Sequence, residues 1–291
     1  MELRQLRYFL KAKECMNFTE AADQLFISQS TLSQQIKQLE LELGIPLFNR
    51  LGKRLALTEA GEVFASYAKK SIEKSKEGFL ALQDLKEMKK GELRIGVSYG
   101  LRTTLLPAIK HFIQQYPAIK LQVTLETTTH LVEQLEQSKL DLILFYTDDS
   151  IKHQFESKYL FTSRMCLATS KKNTHLFKEQ IGLKEVLDLP LVMPSKGFYS
   201  TKFIMQAFEK QGLKPNVLIE INDIPVLIDL IKEGDLHSIM TNTTIANQSE
   251  LIGIPIKGKS MYREAVILTQ KDVYITKAME KFMNILENIV H

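Results

Sequence analysis

The sequence lacks several residue patterns on which common protein functions depend. Its two cysteines, Cys15 and Cys166, are too far apart for a CxxC pair and form no disulfide framework. The six histidines are scattered, with no HxxxH spacing and no cysteine partner, so the sequence predicts no metal site. No P-loop or dinucleotide-binding fingerprint is present. We therefore expect a protein of a reducing compartment that carries no cofactor.

Long hydrophobic runs are also missing from the sequence. No apolar run approaches the ~20 residues that a membrane-spanning helix needs. The first residues, Met1 to Arg4, lead into a helical pattern and lack the basic-then-apolar order of a secretory signal. The sequence therefore predicts a cytoplasmic protein that has no membrane partner.

The sequence does contain enough apolar material for two domains. The chain has 291 residues, 44% of them hydrophobic, so it can bury sizeable cores and is not expected to be disordered. Its formal net charge is +4. This balance permits nucleic-acid binding without requiring it, and any basic footprint must be local.

The stretch from Ile27 to Leu43 has the pattern of an amphipathic helix. Ser28 is a natural N-cap, and Gly44 and Pro46 are typical of the end of a helix. The apolar residues recur at positions i, i+4, i+7 and i+11, which forms one stripe along a helix. These residues are Leu32, Ile36, Leu39 and Leu43.

The opposite face of this helix carries donors and acceptors rather than a mixture of charges. Its residues are Ser30, Ser33, Gln34 and Lys37. Short polar side chains in a row suit the base edges and phosphates of a DNA major groove. The alternative is an ordinary surface helix that is poor in acidic residues near its start.

The upstream segment favours the DNA-binding interpretation. Phe18 to Ala22 has the pattern of a helix start with Thr19 as its N-cap, and this helix is expected to end near Leu25. The small residues Ala21 and Ala22 allow a close helix crossing, as a helix-turn-helix requires. An earlier helix, from about Leu3 to Lys13, would pack over the two helices of this helix-turn-helix.

Two short alternating runs around a glycine follow Pro46 and predict a β-hairpin. Its tip carries Arg50, Lys53 and Arg54. Because it follows a helix-turn-helix in the sequence, this hairpin is a candidate wing whose cations contact phosphates or a narrow minor groove. The alternative is a solvated basic turn.

A long helix is predicted from Thr58, as its N-cap, to about Met88. Apolar residues near heptad spacing favour a dimer contact, although packing on its own domain is the alternative. These residues are Ala65, Ala68, Ile72, Phe79 and Leu82. The pattern breaks at residues 89–91, so we divide the chain into a winged helix-turn-helix (1–58), a linker dimerisation helix (59–90) and a third domain (91–291).

From Leu93 onward, short strands alternate with helices, which predicts βαβ units, mainly parallel sheets and two similar lobes. Two strands without an intervening helix, Phe155–Phe161 and Met165–Thr169, are expected to cross between the lobes. The other predicted strands are 93–97, 120–125, 141–146, 191–193, 217–221, 236–240 and 264–270. The predicted helices are 103–116, 130–137, 200–211, 224–233 and 276–290.

A cleft is expected where the carboxyl ends of these strands meet. The loops there are rich in hydroxyl groups and open helices, which suits a small anion. A further loop at this edge holds Asn222 and Asp223. For each of these loop residues taken alone, helix capping is the alternative to ligand binding. The candidate effector-binding residues are Ser98, Arg102, Thr103, Thr104, Thr128, Ser195, Lys196, Tyr199, Ser200 and Thr201.

An enzyme hypothesis competes with this interpretation. Gly96 to Gly100 matches G-x-S-x-G between a strand and a helix, and an aspartate (Asp223 or Asp229) and then His237 follow in hydrolase order. Against a serine hydrolase, Ser98 ends the first strand of its domain, so no upstream loop supplies an oxyanion donor. A third possibility is an architectural DNA-binding protein that has no inducer.

The sequence resembles the LysR-type transcriptional regulators along its whole length. The matching segments are Phe18-Thr19-Glu20-Ala21-Ala22, Ile27 to Ile36, Leu39-Glu40, Leu43-Gly44, Pro46-Leu47-Phe48, Arg50, Leu57 to Gly61, Gly91 to Gly96, Leu106-Pro107, Tyr116-Pro117 and Leu140-Asp141. The resemblance implies an α/β fold with an all-α N-terminal part. Its elements would be a winged helix-turn-helix, a long linker helix and a two-lobed α/β effector domain like that of periplasmic binding proteins.

The resemblance also implies partners: double-stranded operator DNA, a small-molecule inducer, a second copy in a homodimer or homotetramer, and RNA polymerase. The candidate DNA-binding residues are Thr19, Ser28, Gln29, Ser30, Ser33, Gln34, Lys37, Arg50, Lys53 and Arg54. Two departures from the family pattern are Ser30-Thr31 in place of Pro-Ala, and a Gly234–Thr241 loop without the usual second glycine and proline. That loop and Arg263 to Leu268 are similar to the cyanate-operon activator subgroup.

Overall fold

The computed structural model describes residues 1–51, 54–84, 91–147, 151, 154–176, 178–195 and 197–290, with the side chains of residues 50, 51, 54, 83 and 84 excepted. The chain forms two compact units, residues 1–83 and residues 84–291. None of the described helices is both long enough and apolar enough to span a bilayer.

The first unit contains three helices, a hairpin and a long fourth helix. Its elements are α1 (Leu3–Cys15), α2 (Phe18–Gln24), α3 (Gln29–Leu43), β1 (Phe48–Leu51), β2 (Arg54–Leu57) and α4 (Glu59–Asp84). The predicted N-cap of α3 is confirmed, because the Ser28 side chain accepts a hydrogen bond from the Thr31 amide. Gly44 ends α3 in a left-handed conformation at φ 72°.

The predicted N-cap of α2 was wrong. Asn17, not Thr19, is the N-cap, and its side chain accepts hydrogen bonds from the amides of Thr19 and Glu20. Asn is a better N-cap than Thr, and Asn17 is also the residue that adopts the extended backbone of an N-cap. Thr19 therefore lies inside the first turn of α2.

The apolar stripe of α3 is anchored in the core of the first unit. Leu32, Ile36 and Leu39 are buried there against Phe9 of α1 and Phe48 of β1. The ring centroids of Phe9 and Phe48 lie 5.5 Å apart. Burying these side chains fixes the direction in which the polar face of α3 points.

The predicted hairpin is present as the antiparallel pair β1–β2, in which Leu51 lies opposite Arg54. At its tip, Gly52 and Lys53 lie outside the described residues, as do the side chains of Arg50 and Arg54.

Helix α4 begins after Thr58, whose hydroxyl accepts a hydrogen bond from the Gly61 amide at 2.9 Å. Its predicted continuation to Met88 lies outside the described residues. Ala65 and Ala68 of α4 are buried in the core of the first unit. Several large apolar side chains of α4 are exposed, namely Val63, Tyr67, Phe79 and Leu82.

The second unit alternates strands and helices, as the sequence predicts. Its elements are β3 (Gly91–Val97), a 3-10 turn (Tyr99–Leu101), α5 (Arg102–Gln115), β4 (Ile119–Leu125), α6 (Thr128–Glu136), β5 (Leu142–Tyr146), β6 (Phe155–Ser170), a second 3-10 turn (Thr174–Leu176), α7 (Leu183–Val186), β7 (Leu191–Pro194), α8 (Tyr199–Glu209), β8 (Val217–Ile221), α9 (Ile224–Glu233), β9 (Ser238–Thr241), α10 (Asn242–Ile245), β10 (Leu251–Pro255), β11 (Tyr262–Gln270) and α11 (Lys277–Val290).

The main sheet is mixed rather than mainly parallel. Its strand order is β10-β6-β11-β5-β3-β4, and β9 also pairs with β6. The pairs of β3 with β4 and β5 are parallel, but every pair that involves β6 or β11 is antiparallel. Strands β7 and β8 form a separate parallel pair.

The two predicted crossing strands are one continuous strand of 16 residues, β6. Its antiparallel partner β11 runs beside it from Tyr262 to Gln270. The polar residues Thr162 to Arg164 lie between the two apolar runs, and pairing with β11 keeps the backbone extended through them. Strand β10 and the short helices α7 and α10 were not predicted.

These long strands connect two lobes, each with its own apolar clusters. We define lobe I as residues 91–161 and 264–290, and lobe II as residues 162–263. Lobe I packs α5 and α11 around Phe112 and Phe282, whose rings lie 5.4 Å apart. Lobe II packs α8 on one side of β7 and α9 on the other.

Candidate functional site

The polar face of α3 points away from the core of the first unit. The candidate residues Ser28, Gln29, Ser30, Gln34 and Lys37 are exposed, and Ser33 is half-buried. The Ser28 hydroxyl lies 2.9 Å from the Ser30 hydroxyl. An exposed row of this kind, on a helix held by a buried stripe, has the geometry of a recognition helix.

The structure describes the remaining DNA-binding candidates only in part. Thr19 is exposed at the start of α2, where its amide donates to Asn17 Oδ1 at 2.9 Å. The wing candidate Lys53 lies outside the described residues, and the side chains of Arg50 and Arg54 do so as well.

In the second unit, a small cavity of about 40 Å³ lies between the two lobes. Lobe I contributes the loop after β3, the start of α6 and the end of β5, and lobe II contributes the starts of α8, α9 and α10. The lining residues are Ser98, Tyr99, Gly100, Thr128, Tyr146, Pro194, Phe198, Tyr199, Ser200, Ile224, Met240, Thr241 and Thr244.

Four of the effector candidates lie on the wall of this cavity: Ser98, Thr128, Tyr199 and Ser200. Lys196 lies outside the described residues. The other five are not among the lining residues: Arg102, Thr103, Thr104, Ser195 and Thr201.

Contacts elsewhere account for several of these five residues. The Arg102 guanidinium donates to Tyr99 Oη at 3.0 Å, and Thr103 Oγ1 donates to the Thr243 carbonyl at 3.2 Å. The Ser195 amide donates to the Ile221 carbonyl at 2.9 Å. Thr201 lines a different, apolar pocket of about 400 Å³ in lobe II, next to α8 and β8.

Helix capping explains some of the cleft hydroxyls but not others. Thr127 caps α6 and Asp223 caps α9 through their side chains. Ser98 and Thr241 also occupy N-cap positions, but neither side chain makes a capping hydrogen bond. The Ser98 hydroxyl is buried and has no hydrogen-bond partner. The capping alternative, which applied to each effector candidate, therefore fails at Ser98.

A cluster of hydroxyl groups joins the lobes beside the cavity. Tyr146 Oη of lobe I is hydrogen-bonded to Thr243 Oγ1 of lobe II. Thr243 Oγ1 lies 3.2 Å from Ser163 Oγ and 3.3 Å from Thr241 Oγ1. Thr241 Oγ1 lies in turn 2.8 Å from Thr244 Oγ1. We call these five groups the hydroxyl cluster.

The wall of the cavity is mostly apolar with several hydroxyl groups, and it holds no ionised side chain among its described lining residues. Burial raises the pKa of the Tyr146 phenol above its ordinary value, so this group is a neutral donor at physiological pH. In the described part of the chain, no group of three or more His, Cys, Asp or Glu side chains is placed to bind a metal ion. The cavity can therefore offer hydroxyl and amide donors to a small ligand.

Comparison with known protein families decides the assignment. A family described as "LysR substrate binding domain" matches residues 86–289, and one described as "Bacterial regulatory helix-turn-helix protein, lysR family" matches residues 3–62. The chain belongs to the LysR family of transcriptional regulators. It combines the DNA-binding helix-turn-helix of this family with an effector-binding domain, as the sequence predicted.

Individual relatives agree with this assignment. The "Probable RuBisCO transcriptional regulator" of Thalassiosira pseudonana is 30% identical over 97% of this chain and 95% of its own length. The fold is similar to that of a full-length OxyR variant from Pseudomonas aeruginosa, with a TM-score of 0.70 and 21% identity over 100% of this chain and 94% of that one. It is also similar to "Crystal structure of full-length CbnR complexed with the target DNA complex", with a TM-score of 0.62 and 20% identity over 99% of this chain and 100% of that one.

The serine hydrolase alternative has no support in these matches or in the geometry of this LysR-family regulator. A nucleophilic serine needs a base within hydrogen-bond reach. The Ser98 hydroxyl has no hydrogen-bond partner, and Nδ1 of His237 lies 2.9 Å from Thr169 Oγ1 in lobe II. Within this motif, Ser98, Tyr99 and Gly100 line the cleft between the lobes.

Much of the cleft of this regulator was not predicted from the sequence. Gly100, Tyr146, Phe198, Thr241 and Thr244 line the cavity but were not candidates. Thr241 ends the Gly234–Thr241 loop that lacks the usual second glycine and proline of the family, and that departure was the available signal. Tyr146 ends a buried strand, where nothing in its neighbourhood distinguishes a wall residue from a core residue.

Proposed function

We propose that this regulator reads operator DNA with the exposed face of α3 and changes its activity when a small anionic inducer occupies the cleft between its lobes. The observation that carries this proposal is the opposition of two faces on one helix. Leu32, Ile36 and Leu39 are buried, whereas Gln34 and Lys37 are exposed. Because the buried stripe holds α3 in place, its polar row can lie against base edges while the domain stays folded.

In this proposal, the side chains of α3 contact different parts of the DNA according to their chemistry. Gln34, with Gln29, Ser30 and Ser33, would contact base edges, and Lys37 would contact a phosphate. Thr19, Ser28 and the wing cations Arg50, Lys53 and Arg54 would contribute further contacts. The structure of CbnR with its target DNA, which has the same fold, supports placing DNA on this unit.

The anionic character of the inducer is supported by the donors around the cavity. The first turns of α6, α8 and α9 contribute Thr128, Tyr199 and Ile224 to its wall. The Asp223 carboxylate caps α9, so the positive ends of α6 and α8 are the ones that favour an anion. Helix N-termini favour negative charge. A bound anion would stabilise one arrangement of the lobes over others, which is how a ligand shifts a conformational equilibrium.

We further propose that the protein works as a homodimer or homotetramer. Exposed apolar residues on α4, including Tyr67, Phe79 and Leu82, support a helix-to-helix contact between two copies. This assigns residues 59–90 to dimerisation, between a DNA-binding domain (1–58) and a regulatory domain (91–291). Inducer binding would then change the spacing of two recognition helices, which must match the operator half-sites.

Three further expectations follow from the family assignment. The protein would contact RNA polymerase at the promoter and would act in the cytoplasm, where the operator is. It would not be an enzyme, because its cleft would bind the inducer without transforming it.

Operator binding can be tested with DNA from upstream of the protein's own gene, by fluorescence anisotropy over a range of salt concentrations. We expect Lys37→Ala to weaken binding and to lower the slope of log K against log salt by about 0.9, the value for one phosphate contact. Gln34→Ala should cost about 1–3 kcal/mol of discrimination at one base pair and leave the salt slope unchanged.

The matched control is Lys110→Ala, which removes an exposed lysine from α5 in the second unit. This variant should bind as the parent protein does. If Lys37→Ala and Gln34→Ala also leave binding unchanged while folding normally, the role of α3 is refuted.

A further inference from the structure

One side chain connects the recognition helix α3 to the wing, the hairpin β1–β2. Glu40 lies on α3, one turn after Lys37, and is half-buried. Its Oε1 atom accepts hydrogen bonds from the Leu47 amide at 2.7 Å and from the Phe48 amide at 3.0 Å. Phe48 is the first residue of β1. A single carboxylate oxygen therefore holds the base of the wing against α3.

The same segment is also bound by the start of α4. The Leu47 carbonyl accepts a hydrogen bond from the Thr58 amide at 3.0 Å, and the Pro46 carbonyl accepts one from the Thr58 hydroxyl at 2.8 Å. A Cβ atom at Gly61 would overlap the Leu47 carbonyl oxygen, so the first turn of α4 packs directly on this peptide group. The backbone from Pro46 to Phe48 is therefore fixed by both α3 and α4.

Hydrogen bonds add direction to the apolar packing of the wing. The Phe48 ring packs in the core of the first unit, with its centroid 5.5 Å from that of Phe9 and 5.4 Å from that of Phe18. Apolar burial is non-directional, whereas a hydrogen bond weakens steeply as its angle departs from linearity. Packing therefore keeps β1 in the core, and the two bonds to Glu40 set the distance and angle of β1 to α3.

The charge of Glu40 does not explain its position. A carboxylate on a DNA-binding helix repels phosphates, so the charge by itself weakens operator binding. The amide oxygen of a glutamine could accept the same two hydrogen bonds, because it also has two lone pairs. An aspartate would hold its oxygen about 1.5 Å closer to the helix, too far from the two amides. The site therefore requires an acceptor at the end of a side chain of this length.

We propose that Glu40 is a positioning residue that sets the wing at the distance and angle from α3 at which both contact one operator site. Arg50 lies two residues after Phe48 on β1, so a displacement of Phe48 is carried to this wing cation. Glu40 therefore acts on operator binding through the wing and makes no contact with DNA itself. This inference rests on the proposed function, because it needs the wing cations to bind the operator.

The experiment compares Glu40→Asp with Glu40→Gln in the full-length protein, by fluorescence anisotropy with DNA from upstream of the protein's own gene. Glu40→Asp keeps the charge and loses the reach, so it should weaken operator binding about tenfold, the size expected for one lost charge-assisted contact. It should also lower the slope of log K against log salt by about 0.9 for each wing phosphate contact that is lost. Glu40→Gln keeps the reach and loses the charge, so it should bind at least as tightly as the parent protein.

The matched control is Glu42→Asp, which makes the same substitution two residues later on α3. Glu42 is exposed, and its carboxylate pairs with the N-terminal amine of the chain. This variant should bind like the parent protein. Calorimetry of each variant measures how much of the first unit is folded. A variant that had only lost folded protein would keep the salt slope of the parent, and this result for Glu40→Asp would overturn the proposal.

A double-mutant cycle tests whether Glu40 acts through the wing. Arg50→Ala should weaken operator binding in the parent protein, and by a factor about threefold smaller in the Glu40→Asp variant, because the wing is already displaced there. Gln34→Ala should weaken binding by the same factor in both proteins, because Gln34 lies about 9 Å from Glu40 along the axis of α3.

The possible failures are distinguishable. If Arg50→Ala alone leaves operator binding unchanged, the proposed DNA contact of the wing is refuted, and this inference with it. If Arg50→Ala weakens binding by the same factor in the parent protein and in Glu40→Asp, the wing contact stands and only the role of Glu40 is overturned. Equal losses of affinity in Glu40→Asp and Glu40→Gln would overturn that role as well, because the reach of the side chain would then not be what matters.

Discussion

The two candidate binding surfaces of this regulator, the polar face of α3 and the cavity between the lobes, are built in opposite ways. The polar face of α3 comes from one segment of 15 residues, and each of its side chains is placed by the same buried stripe. The cavity between the lobes is lined by residues from Ser98 to Thr244, which come from separate loops and strand ends of both lobes. One surface is local in sequence, and the other depends on the tertiary fold.

The two surfaces also differ in what holds them. The α3 face rests on apolar packing around Leu32, Ile36 and Leu39. The cleft is joined by hydrogen bonds between hydroxyl groups, among them Tyr146 Oη with Thr243 Oγ1. Apolar packing tolerates little rearrangement, whereas hydroxyl groups can exchange partners at low cost. An inducer-controlled regulator needs a rigid DNA-binding surface and an adjustable ligand cleft.

The largest predicted effect tests the rigid surface. Ile36 is 1% exposed, so Ile36→Ala should destabilise the first unit by about 3 kcal/mol through lost burial and a residual cavity. Differential scanning calorimetry should show the transition of that unit moving to lower temperature. Leu41→Ala is the matched control, because Leu41 lies on the same helix and is 73% exposed. An equal loss of stability in both variants would show that the stripe does not anchor α3.

The next effect in size concerns the pH dependence of lobe II. Burial lowers the pKa of His237 below 6.5, so the unfolded state binds more protons than the folded state below that pH. Stability is therefore complete above pH 6.5 and falls on acidification, by at most about 1.4 kcal/mol per pH unit. Urea unfolding at about pH 7.5 and about pH 5.5, on either side of the ordinary histidine pKa, should show this loss.

His237→Asn should reduce that loss, whereas His111→Asn, which replaces an exposed histidine on α5, should retain it. An unchanged pH profile in His237→Asn would show that this histidine is not the titrating group.

A smaller effect separates the two candidate caps of α2. Asn17 accepts hydrogen bonds from two amides of the first turn, so Asn17→Ala should cost about 1 kcal/mol of stability in the first unit. Thr19→Ala should change stability by less than about 0.5 kcal/mol, because Thr19 is exposed within the helix. Thermal unfolding of the two variants measures the difference, and the reverse order would restore the cap that the sequence predicted.

The Asn17 case shows where sequence-based prediction reaches its limit. Periodicity predicted α3 with Ser28 as its N-cap, because the pattern of a helix is contained in its own residues. The choice between Asn17 and Thr19 depends on which backbone is extended, and neighbouring side chains do not reveal that. The α/β alternation was predictable for the same reason as α3.

The pairing of β6 with β11 and the position of Gly100 in the cleft could not be predicted from sequence. Both depend on contacts between residues that are far apart in the chain, such as Phe155 with Gln270 and Gly100 with Thr244. Local patterns carry no information on such pairs. For the same reason, only part of the candidate list for the cleft lines the cavity, whereas the candidates on α3 share one exposed face.

The smallest predicted change in stability sharpens the comparison between the two surfaces. Ser98 is buried but its hydroxyl bonds to nothing, so Ser98→Ala removes an unsatisfied polar group and should leave the free energy of unfolding unchanged or slightly higher. The same variant should lose affinity for a small anionic inducer in the cleft, because one hydroxyl donor of the cavity wall is gone. Calorimetric unfolding and anion titration on one preparation measure both quantities. A loss of stability without a loss of anion affinity would show that Ser98 has a structural role and does not bind the ligand. The adjustable part of the cleft would then be the hydroxyl cluster alone.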